Sequence, residues 1–469
     1  MKEPKALKRI LPIDIQEMKK EVRVTSHGGL FTIGEMFRSI GLDKIVERCV
    51  KTKHRKRGFG DAEIVESFVT LFTAGGECLD DFEVMRRDPI LPEVLGHEFP
   101  SASCAREWLY EFHSEEKIAA AAKEAEQMGF ESFVPEETDL LKGLVRVNRE
   151  IIAAGQRKEV QKRATLDIDA TIEESHKEEA KATYEGVRGY QPTMVEWVEQ
   201  ELIVSDEFRD GNVPAQKDLV RVLEAAVSNL PEGVEEILVR SDSAAYNHEV
   251  MGYCREHGYK FAISADMTQE LLSEIRKLPE RAWNHWKDEG DAVKQWAEVP
   301  YVPAWPYEGR DAEPDRYVAI RIVKKQGTLF ADGTDRRHFA VVTSRREEEI
   351  SGQALLEWHR EKAGTIEQVN DVMKNELAAG VLPCGRFGAN AAWFRLNVIT
   401  YNLLSLMRRH VFPEPLRNAR PKRLRFLIFS VGAELVHHAR RVILRLCRAY
   451  RKLFRWRTIR RNLLSFAPT

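Results

Sequence analysis

The spacing of apolar residues along the chain changes near residue 160. Before that point, apolar positions recur every three or four residues, which is typical of amphipathic helices and predicts a helical N-terminal domain over residues 28–115. A charged, alanine-containing stretch over 116–160 predicts a helical connector. Residues 1–27 are rich in charge and are predicted to form a leader ahead of this domain.

Beyond the connector the pattern changes to short strands separated by helices, which predicts an α/β domain over residues 161–265. In the first strand, Leu166 and Ile168 alternate with Asp167 and Asp169, so one face of the strand is apolar and the other is acidic. The predicted elements are strands at 165–171, 190–198 and 201–208 (the last two a hairpin), a helix at 217–230, a strand at 237–243, a helix at 245–257 and a strand at 259–264. This order is that of a ribonuclease-H-like core.

Residues 266–350 interrupt the core and predict a mostly β insertion, with candidate strands at 316–325 and 338–344. The insertion is rich in proline and contains the tryptophans Trp283, Trp286, Trp296 and Trp305. The sequence therefore predicts a core that is divided into two parts by this insertion.

After the insertion, helices at 358–380 and 390–409 are predicted to complete the core over residues 351–410. Residues 411–469 form a basic C-terminal region. Within it, the pattern at 424–446 is compatible with either a strand or a helix.

Composition narrows the class of protein. The 469-residue chain is 43% hydrophobic and 31% charged, which is typical of a soluble globular protein. No apolar run approaches the roughly eighteen residues of a membrane span, and the amino end is too polar for a signal peptide. The six cysteines show no CxxC or CxxH spacing, which favours a reducing compartment and disfavours structural zinc. These features predict a cytoplasmic protein without membrane contact.

Charge is distributed unevenly along the chain. The segment 408–461 contains seventeen Lys and Arg against two Glu, a net charge of +15, although the whole chain carries only −2. An Arg-rich segment with interleaved aromatic residues favours contact with the phosphate backbone of nucleic acid. The alternative is a tail that docks on the acidic remainder of its own chain.

A turn in the N-terminal domain also bears on DNA contact. Residues 100–103 form a turn signal ahead of a predicted helix at 105–112. The pattern is compatible with a helix-turn-helix element that binds DNA ends, and equally with an ordinary junction between bundle helices.

Acidic residues on three separate elements offer a site for divalent metal ions. Carboxylates on a core strand are costly to bury unless they are neutralised, and a divalent cation does this. Asp169 lies on the first strand, Asp242 follows a later apolar strand, and Glu367 lies on the predicted helix at 358–380. Alternatively, Asp242 is a helix cap, the first strand is a solvent-facing edge, and the Glu367 face is merely solvated. Together the three acids describe a two-metal site for phosphodiester chemistry.

The helix that carries Glu367 offers cations beside the carboxylate. Residues three, four and seven apart share a helix face, which places Arg360, Gly364, Glu367, Asp371 and Lys374 together. This face would present a carboxylate for metal and cations for DNA phosphates, and glycine would allow close backbone approach.

These stretches resemble the DDE transposases of bacterial insertion sequences, cut-and-paste enzymes with a ribonuclease-H-like core. The resemblance covers about residues 28–446. The matching residues are Asp167, Asp169 and Thr171 on the first strand, Arg240 and Asp242 on the later strand, Gly364, Glu367 and Lys374 around the last acid, and the segments 382–393 and 401–404.

The resemblance implies that Asp169, Asp242 and Glu367 are the catalytic and metal-binding acids, with Asp167 a supporting neighbour. They would hold two Mg²⁺ ions, for which Mn²⁺ can substitute. Many relatives show Tyr-x2-Arg-x3-Glu-x6-Lys around the last acid; here Arg360 occupies the Tyr position and Ala363 the Arg position.

Several cations are therefore candidates for phosphate contact: Lys374, Arg360, Lys362 and Arg240. The insertion would hold DNA ends, with a tryptophan such as Trp283, Trp286 or Trp296 stacking on a flipped base.

The predicted function is cleavage of double-stranded DNA at the ends of an insertion sequence, followed by strand transfer into target DNA. A homodimer assembled on DNA is implied by the resemblance. The alternatives are a related nuclease that does not join strands, and a DNA-binding relic without catalysis.

Overall fold

A computed structural model of the chain describes residues 23–52, 58–303, 314–325, 328–447 and 455–467. Most of the predicted leader, Trp305 of the insertion and part of the basic C-terminal region lie outside the described residues. No described helix combines the length and apolar character needed to cross a membrane.

The described chain contains helices, strands and short turns of 3₁₀ or π-helix. The strands are β1 (Val24–Thr25), β2 (Arg163–Ala170), β3 (Glu173–Glu174), β4 (Lys181–Ala182), β5 (Arg188–Tyr190), β6 (Thr193–Trp197), β7 (Leu202–Glu207), β8 (Glu236–Ser241), β9 (Lys260–Ala265), β10 (Asn284–Glu289), β11 (Ala292–Val299), β12 (Arg316–Lys324), β13 (Arg336–Thr343), β14 (Ala433–His438) and β15 (Arg441–Leu446). The α-helices are α1 (Phe31–Ile40), α2 (Leu42–Cys49), α3 (Asp61–Ala74), α4 (Phe82–Arg86), α5 (Leu91–Leu95), α6 (Ala102–Tyr110), α7 (Glu115–Gln127), α8 (Asp139–Lys158), α9 (Leu219–Asn229), α10 (His248–Glu256), α11 (Gln269–Lys277), α12 (Gly352–Arg360), α13 (Ile366–Asn375), α14 (Phe387–Leu406), α15 (Pro421–Leu424) and α16 (Trp456–Leu464).

A mixed sheet of nine strands organises the described fold, with the order β10-β11-β12-β13-β9-β8-β2-β6-β7. β2 lies between β6, which is antiparallel to it, and β8, which is parallel to it; β9 is in turn parallel to β8. The predicted hairpin of β6 and β7 is confirmed. β2 is therefore central in the sheet, which explains why its Leu166 and Ile168 are buried.

The stretch predicted as an insertion extends this sheet. It contributes four strands, β10 to β13, and β13 pairs with β9 so that Ala340 lies opposite Ala265. Two of these strands, β12 and β13, were expected from their alternation. The β10–β11 hairpin was missed because β10 carries the charged run at 287–289 and buries only Trp286, so it shows no apolar alternation.

The N-terminal helices share one hydrophobic core with the sheet. α14 lies between them: every residue from Gly388 to Leu406 is buried, as expected for a helix surrounded by protein on all sides. Its polar residues are satisfied inside the core. Arg395 bonds Asp206 at 3.0 Å, and Asn402 bonds Asn148 at 2.7 Å.

The C-terminal region returns to the N-terminal domain. Its stretch at 424–446 contains both kinds of structure: a helical turn, Arg425–Phe429, and then the β14–β15 hairpin. β14 pairs with β1, and α16 packs on α1 with the rings of Phe31 and Trp456 5.8 Å apart. Arg460 forms an ion pair with Glu35 at 2.7 Å. Part of the basic region therefore docks on its own chain.

Candidate active site

Two of the predicted acids lie at the same edge of the sheet. Asp169 is near the carboxyl end of β2, and Asp242 follows the last residue of β8. The two strands are parallel and Ile168 pairs with Ser241, so Asp169 and Asp242 are the next residues of neighbouring strands. Parallel pairing thus brings together two acids that are 73 residues apart in the chain.

The third acid, Glu367, lies in the first turn of α13. One helical turn later, Asn370 donates from Nδ2 to Oδ2 of Asp169 at 2.9 Å. This hydrogen bond fixes the first turns of α13 against the carboxyl end of β2. Asn370 was not among the predicted site residues, although its spacing of three residues from Glu367 places it on the same helix face.

The predicted long helix at 358–380 is broken just before Glu367. α12 ends at Arg360, Glu361–Gly364 forms a 3₁₀ turn, and Thr365 has φ −118° and ψ −99°, outside the helical region. α13 then begins in a new direction at Ile366. The break allows Glu367 to approach Asp169 from a helix that packs on β2 and β6.

Burial and neighbouring charges act on the carboxyl group of Asp169. Burial raises the pKa of Asp169 to about 6; the charge of Lys362 lowers it, and the charges of Asp242 and Glu367 raise it. Asp242 follows the neighbouring strand β8, and Glu367 lies on the helix whose Asn370 bonds Asp169. The edge of the sheet is therefore a concentrated acidic site with one lysine beside it.

Hard oxygen donors of this kind suit Mg²⁺ or Mn²⁺. Within the described ranges, however, no three Asp, Glu, His or Cys side chains already lie close enough to hold an ion. Lys362 Nζ is 3.6 Å from Glu367 Oε1 and supplies positive charge there. The Glu367 side chain is 52% exposed, so it can rotate towards Asp169 without repacking the core. The residues therefore fit a divalent ion by the chemistry of their oxygen donors.

Asp242 has a second role as a cap. Its Oδ1 accepts a hydrogen bond from the backbone N–H of Ala244 at 3.0 Å, at the start of the turn Ser243–Ala245. Asp242 thus caps this 3₁₀ turn, whereas the following helix α10 is capped by Asn247. Within the described residues, Oδ2 of Asp242 accepts no protein hydrogen bond. Capping also fixes the orientation of the carboxylate.

The candidate phosphate-binding cations occupy different environments. Arg360 is exposed, with its guanidinium 5.4 Å from the ring centre of Trp286. Lys374 is 41% exposed and donates to the Ile172 carbonyl at 2.6 Å. Lys362 was predicted to contact DNA, but it is buried, and its ammonium group lies beside Glu367.

Among the candidate cations, Arg240 is the one whose position departs most from the prediction that it contacts DNA. Its side chain is fully buried, and its guanidinium forms two hydrogen bonds with Asp167, at 2.6 and 2.8 Å. Asp167 is also fully buried. Asp167 therefore neighbours Asp169 on the strand but serves as the partner of Arg240. The sequence could not show this, because an arginine near a strand end can face either side of the sheet.

The tryptophans proposed to stack on a flipped base are already packed. Trp283 is 9% exposed and lies under Arg321, whose guanidinium is 4.3 Å from its ring centre. Trp286 is also 9% exposed. Trp296 contacts Gly352, where a Cβ would lie 2.3 Å from its ring. These rings act as core in the structure.

Comparison with known proteins identifies the family of this chain. A sequence profile described as "Transposase DDE domain group 1" matches residues 14–464. No curated protein is a significant match. A solved structure of a piggyBac transposase synaptic complex with hairpin DNA is similar to this chain, with 12% identity, coverage of 94% of this chain and 85% of that chain, and a TM-score of 0.46. Since the profile covers almost the whole chain, the protein belongs to the transposase DDE domain group 1 family.

Proposed function

We propose that this chain is the transposase of a bacterial insertion sequence. It would cleave DNA at the ends of its element and join the freed 3′-hydroxyl to target DNA, with Asp169, Asp242 and Glu367 as metal-binding acids. The observation that carries the proposal is geometric: parallel pairing of β2 and β8 places Asp169 and Asp242 side by side, and Asn370 holds the helix of Glu367 against Asp169. Membership of a DDE transposase family supports it independently.

The sheet supports a ribonuclease-H-like core as part of this proposal. The order along the chain is the predicted one: β2, β6, β7, β8 and β9. Neighbouring strands are antiparallel between β2 and β6 and between β6 and β7, whereas β8 and β9 run parallel to β2. In such a core the acids at the carboxyl ends of β2 and β8 meet a helix that returns after the insertion.

The chemistry of the proposed site follows from its residues. Two divalent ions, when bound, supply activation of the attacking hydroxyl and neutralisation of the leaving oxygen. Asn370 holds Asp169 in place, and the cap at Asp242 orients that carboxylate. Lys362 neutralises part of the acidic charge when no divalent ion is bound.

DNA would be bound by exposed cations outside the acidic edge. Arg360 and Lys374 lie on the elements that flank Glu367 and are exposed enough to contact phosphates. Exposed arginines of the C-terminal region would add further contacts. A cytoplasmic homodimer assembled on two element ends completes the proposal.

Replacement of Glu367 by Gln tests the proposal most simply. We expect Mg²⁺-dependent cleavage of DNA that carries the flanks of the coding region to fall by more than about 100-fold, with an unchanged melting temperature. Glu357→Gln, a carboxylate on α12 that bonds Gln353, is the matched control and should cleave like the wild type. Full activity in Glu367→Gln would redirect the assignment to Glu361 or Asp371.

Two alternatives give different results in the same assays. A nuclease that cannot join strands would cleave in Mg²⁺ but yield no strand-transfer product. A DNA-binding relic would bind DNA equally well with or without Asp242→Ala and would show no metal-dependent cleavage. Short inverted repeats that flank the coding region would favour the transposase.

A further inference from the structure

Beneath the proposed acids lies a second layer of polar side chains. Each acid is preceded, two residues earlier in the chain, by a polar residue that takes part in one buried network. These pairs are Asp167 before Asp169, Arg240 before Asp242, and Thr365 before Glu367. We call Asp167, Arg240 and Thr365 the underlying cluster.

Asp167 joins the members of the underlying cluster. Arg240 donates from Nε to Oδ1 of Asp167 at 2.6 Å and from Nη2 to Oδ2 at 2.8 Å. The hydroxyl of Thr365 also donates to Oδ2 of Asp167. One carboxylate therefore connects the two strands that carry the first acids with the residue at which α13 begins.

Arg240 extends the connection to the segment that leads to Glu367. Its Nη1 donates to the carbonyl of Trp358 at 2.5 Å and to Glu361 at 3.2 Å. The guanidinium also lies 5.2 Å from the ring centre of Trp358. Both the end of α12 and the following turn are thus held by a side chain from β8.

The underlying cluster is placed so that it can orient the three acids. Side chains two residues apart on a strand point to the same face, so Asp167 lies below Asp169 on one side of the sheet. Thr365 has a non-helical backbone, and its hydroxyl bond fixes the point from which α13 starts. Glu367 is only two residues beyond that point.

If the cluster only stabilised the fold, a buried ion pair would not be needed. Burial of an ion pair carries a large desolvation cost, and apolar residues of similar volume often stabilise a core equally well. Asp167 and Arg240 are both fully buried in the sheet, and the buried Glu196 of β6 lies opposite Asp167. What the charged pair adds is a fixed, bidentate geometry between two strands and one helix.

We propose that the underlying cluster sets the relative positions of the three acids and thereby determines the affinity of the site for divalent metal. Asp167, Arg240 and Thr365 are positioning residues that touch neither metal nor DNA. The inference rests on the proposed function, because it takes Asp169, Asp242 and Glu367 to be the metal ligands.

Binding of Mn²⁺ alone to the full chain, measured by calorimetry without DNA, tests the inference. Thr365→Val removes the hydroxyl at nearly constant volume, and we expect it to weaken Mn²⁺ binding by about tenfold, the usual effect of losing an outer partner. Thr365→Ser keeps the hydroxyl and should restore wild-type affinity. Arg240→Lys, which cannot make two parallel hydrogen bonds, should weaken binding similarly.

Thr70→Val is the matched control for loss of a buried hydroxyl. Thr70 is fully buried in α3 and donates to the Glu66 carbonyl at 2.7 Å, far from the acids in the chain. We expect this variant to lower the melting temperature while its Mn²⁺ affinity stays that of the wild type. Thr365→Val should differ by lowering the Mn²⁺ affinity in addition to the melting temperature, because its hydroxyl bonds the buried Asp167.

The outcomes separate the inference from the proposed function. If Asp169→Asn abolishes Mn²⁺ binding while Thr365→Val and Arg240→Lys bind like the wild type, the positioning role is overturned and the metal site stands. If the wild type and Asp169→Asn bind Mn²⁺ equally, or neither binds it, the metal site is overturned and the positioning role falls with it.

Discussion

At the residue scale, Glu173 on β3 adds a buried carboxyl group shortly after the end of β2. Its carboxyl group is fully buried, and neither oxygen has a hydrogen-bond partner within the described chain. Lys374 Nζ lies 3.8 Å from Oε2. Burial raises the pKa of Glu173 to about 7, and the charge of Lys374 opposes this only in part.

This carboxyl group makes stability depend on pH. Its ordinary pKa is 4.5, so between pH 4.5 and 7 the folded state keeps a proton that the unfolded state has released. Stability is therefore lost as the pH rises through this window, by up to about 3 kcal/mol. Glu173→Gln should remove that loss when urea unfolding is compared at pH 5 and pH 8.

The neighbouring Glu174 provides the control for this prediction. Glu174 is exposed on the same short strand, so Glu174→Gln should retain the pH dependence of the wild type. An unchanged pH dependence in Glu173→Gln would show that Glu173 is already ionised at pH 5 in the folded protein.

The positions of Asp169 and Asp242 at strand ends could be predicted from the sequence, whereas the hydrogen-bond partners around them could not. The alternation around Asp169 and the apolar run before Asp242 mark strand ends without any knowledge of pairing. The bonds of Arg240 depend on which face of β8 points to β2 and α12, and only the assembled sheet determines that.

At the scale of elements, α14 depends on a close contact at its first turn. A Cβ at Gly388 would lie 2.3 Å from the carbonyl oxygen of Phe112 and 2.6 Å from Cα of His113. Both atoms belong to the backbone after α6, so they cannot rotate away. The glycine therefore sets how closely the N-terminal helices approach the helix that joins them to the sheet.

Gly388→Ala should destabilise the protein by about 2 kcal/mol because the backbone must shift to admit the methyl group. Gly252, in the middle of α10, is the matched control, since a Cβ there would meet nothing within 4 Å. Gly252→Ala should instead stabilise by roughly 0.5–1 kcal/mol. Urea unfolding midpoints of the two variants measure the difference, and equal midpoints would contradict this packing.

The elements predicted from periodicity are mostly present, and the exceptions have local causes. α9 and β9 lie within two residues of their expected bounds. The long helix at 358–380 was predicted because its apolar spacing continues across Gly364 and Thr365, yet the backbone turns there so that Thr365 can bond Asp167. A tertiary hydrogen bond of this kind leaves no signal in local periodicity.

At the scale of the whole molecule, the basic C-terminal region is both docked and exposed. Arg420 pairs with Glu376 at 2.5 Å, and Arg425 donates to the carbonyl of Thr73 at 3.1 Å. In contrast, Arg441 and Arg457 are exposed and line a cavity of about 1090 Å³ between α1, β15 and α16. The docking interpretation of the tail therefore holds for some arginines, while others are exposed to solvent.

The exposed arginines should contribute to DNA binding in a salt-dependent way. Arg457→Gln should weaken binding across all DNA sequences and reduce the slope of log affinity against log salt by about 1, with an unchanged melting temperature. Lys123→Gln, an exposed change on α7, is the control and should leave the slope unaltered. An unchanged slope in Arg457→Gln would exclude this arginine from the DNA interface.

The account depends on three acids that act as one unit, and rates of Mg²⁺-dependent DNA cleavage test this most directly. We expect Asp169→Asn, Asp242→Asn and Glu367→Gln each to lose nearly as much activity as the triple variant, because residues that share a function do not contribute additively. Wild-type cleavage in any one of these single variants, or losses that multiply in the triple variant, would contradict a shared metal site.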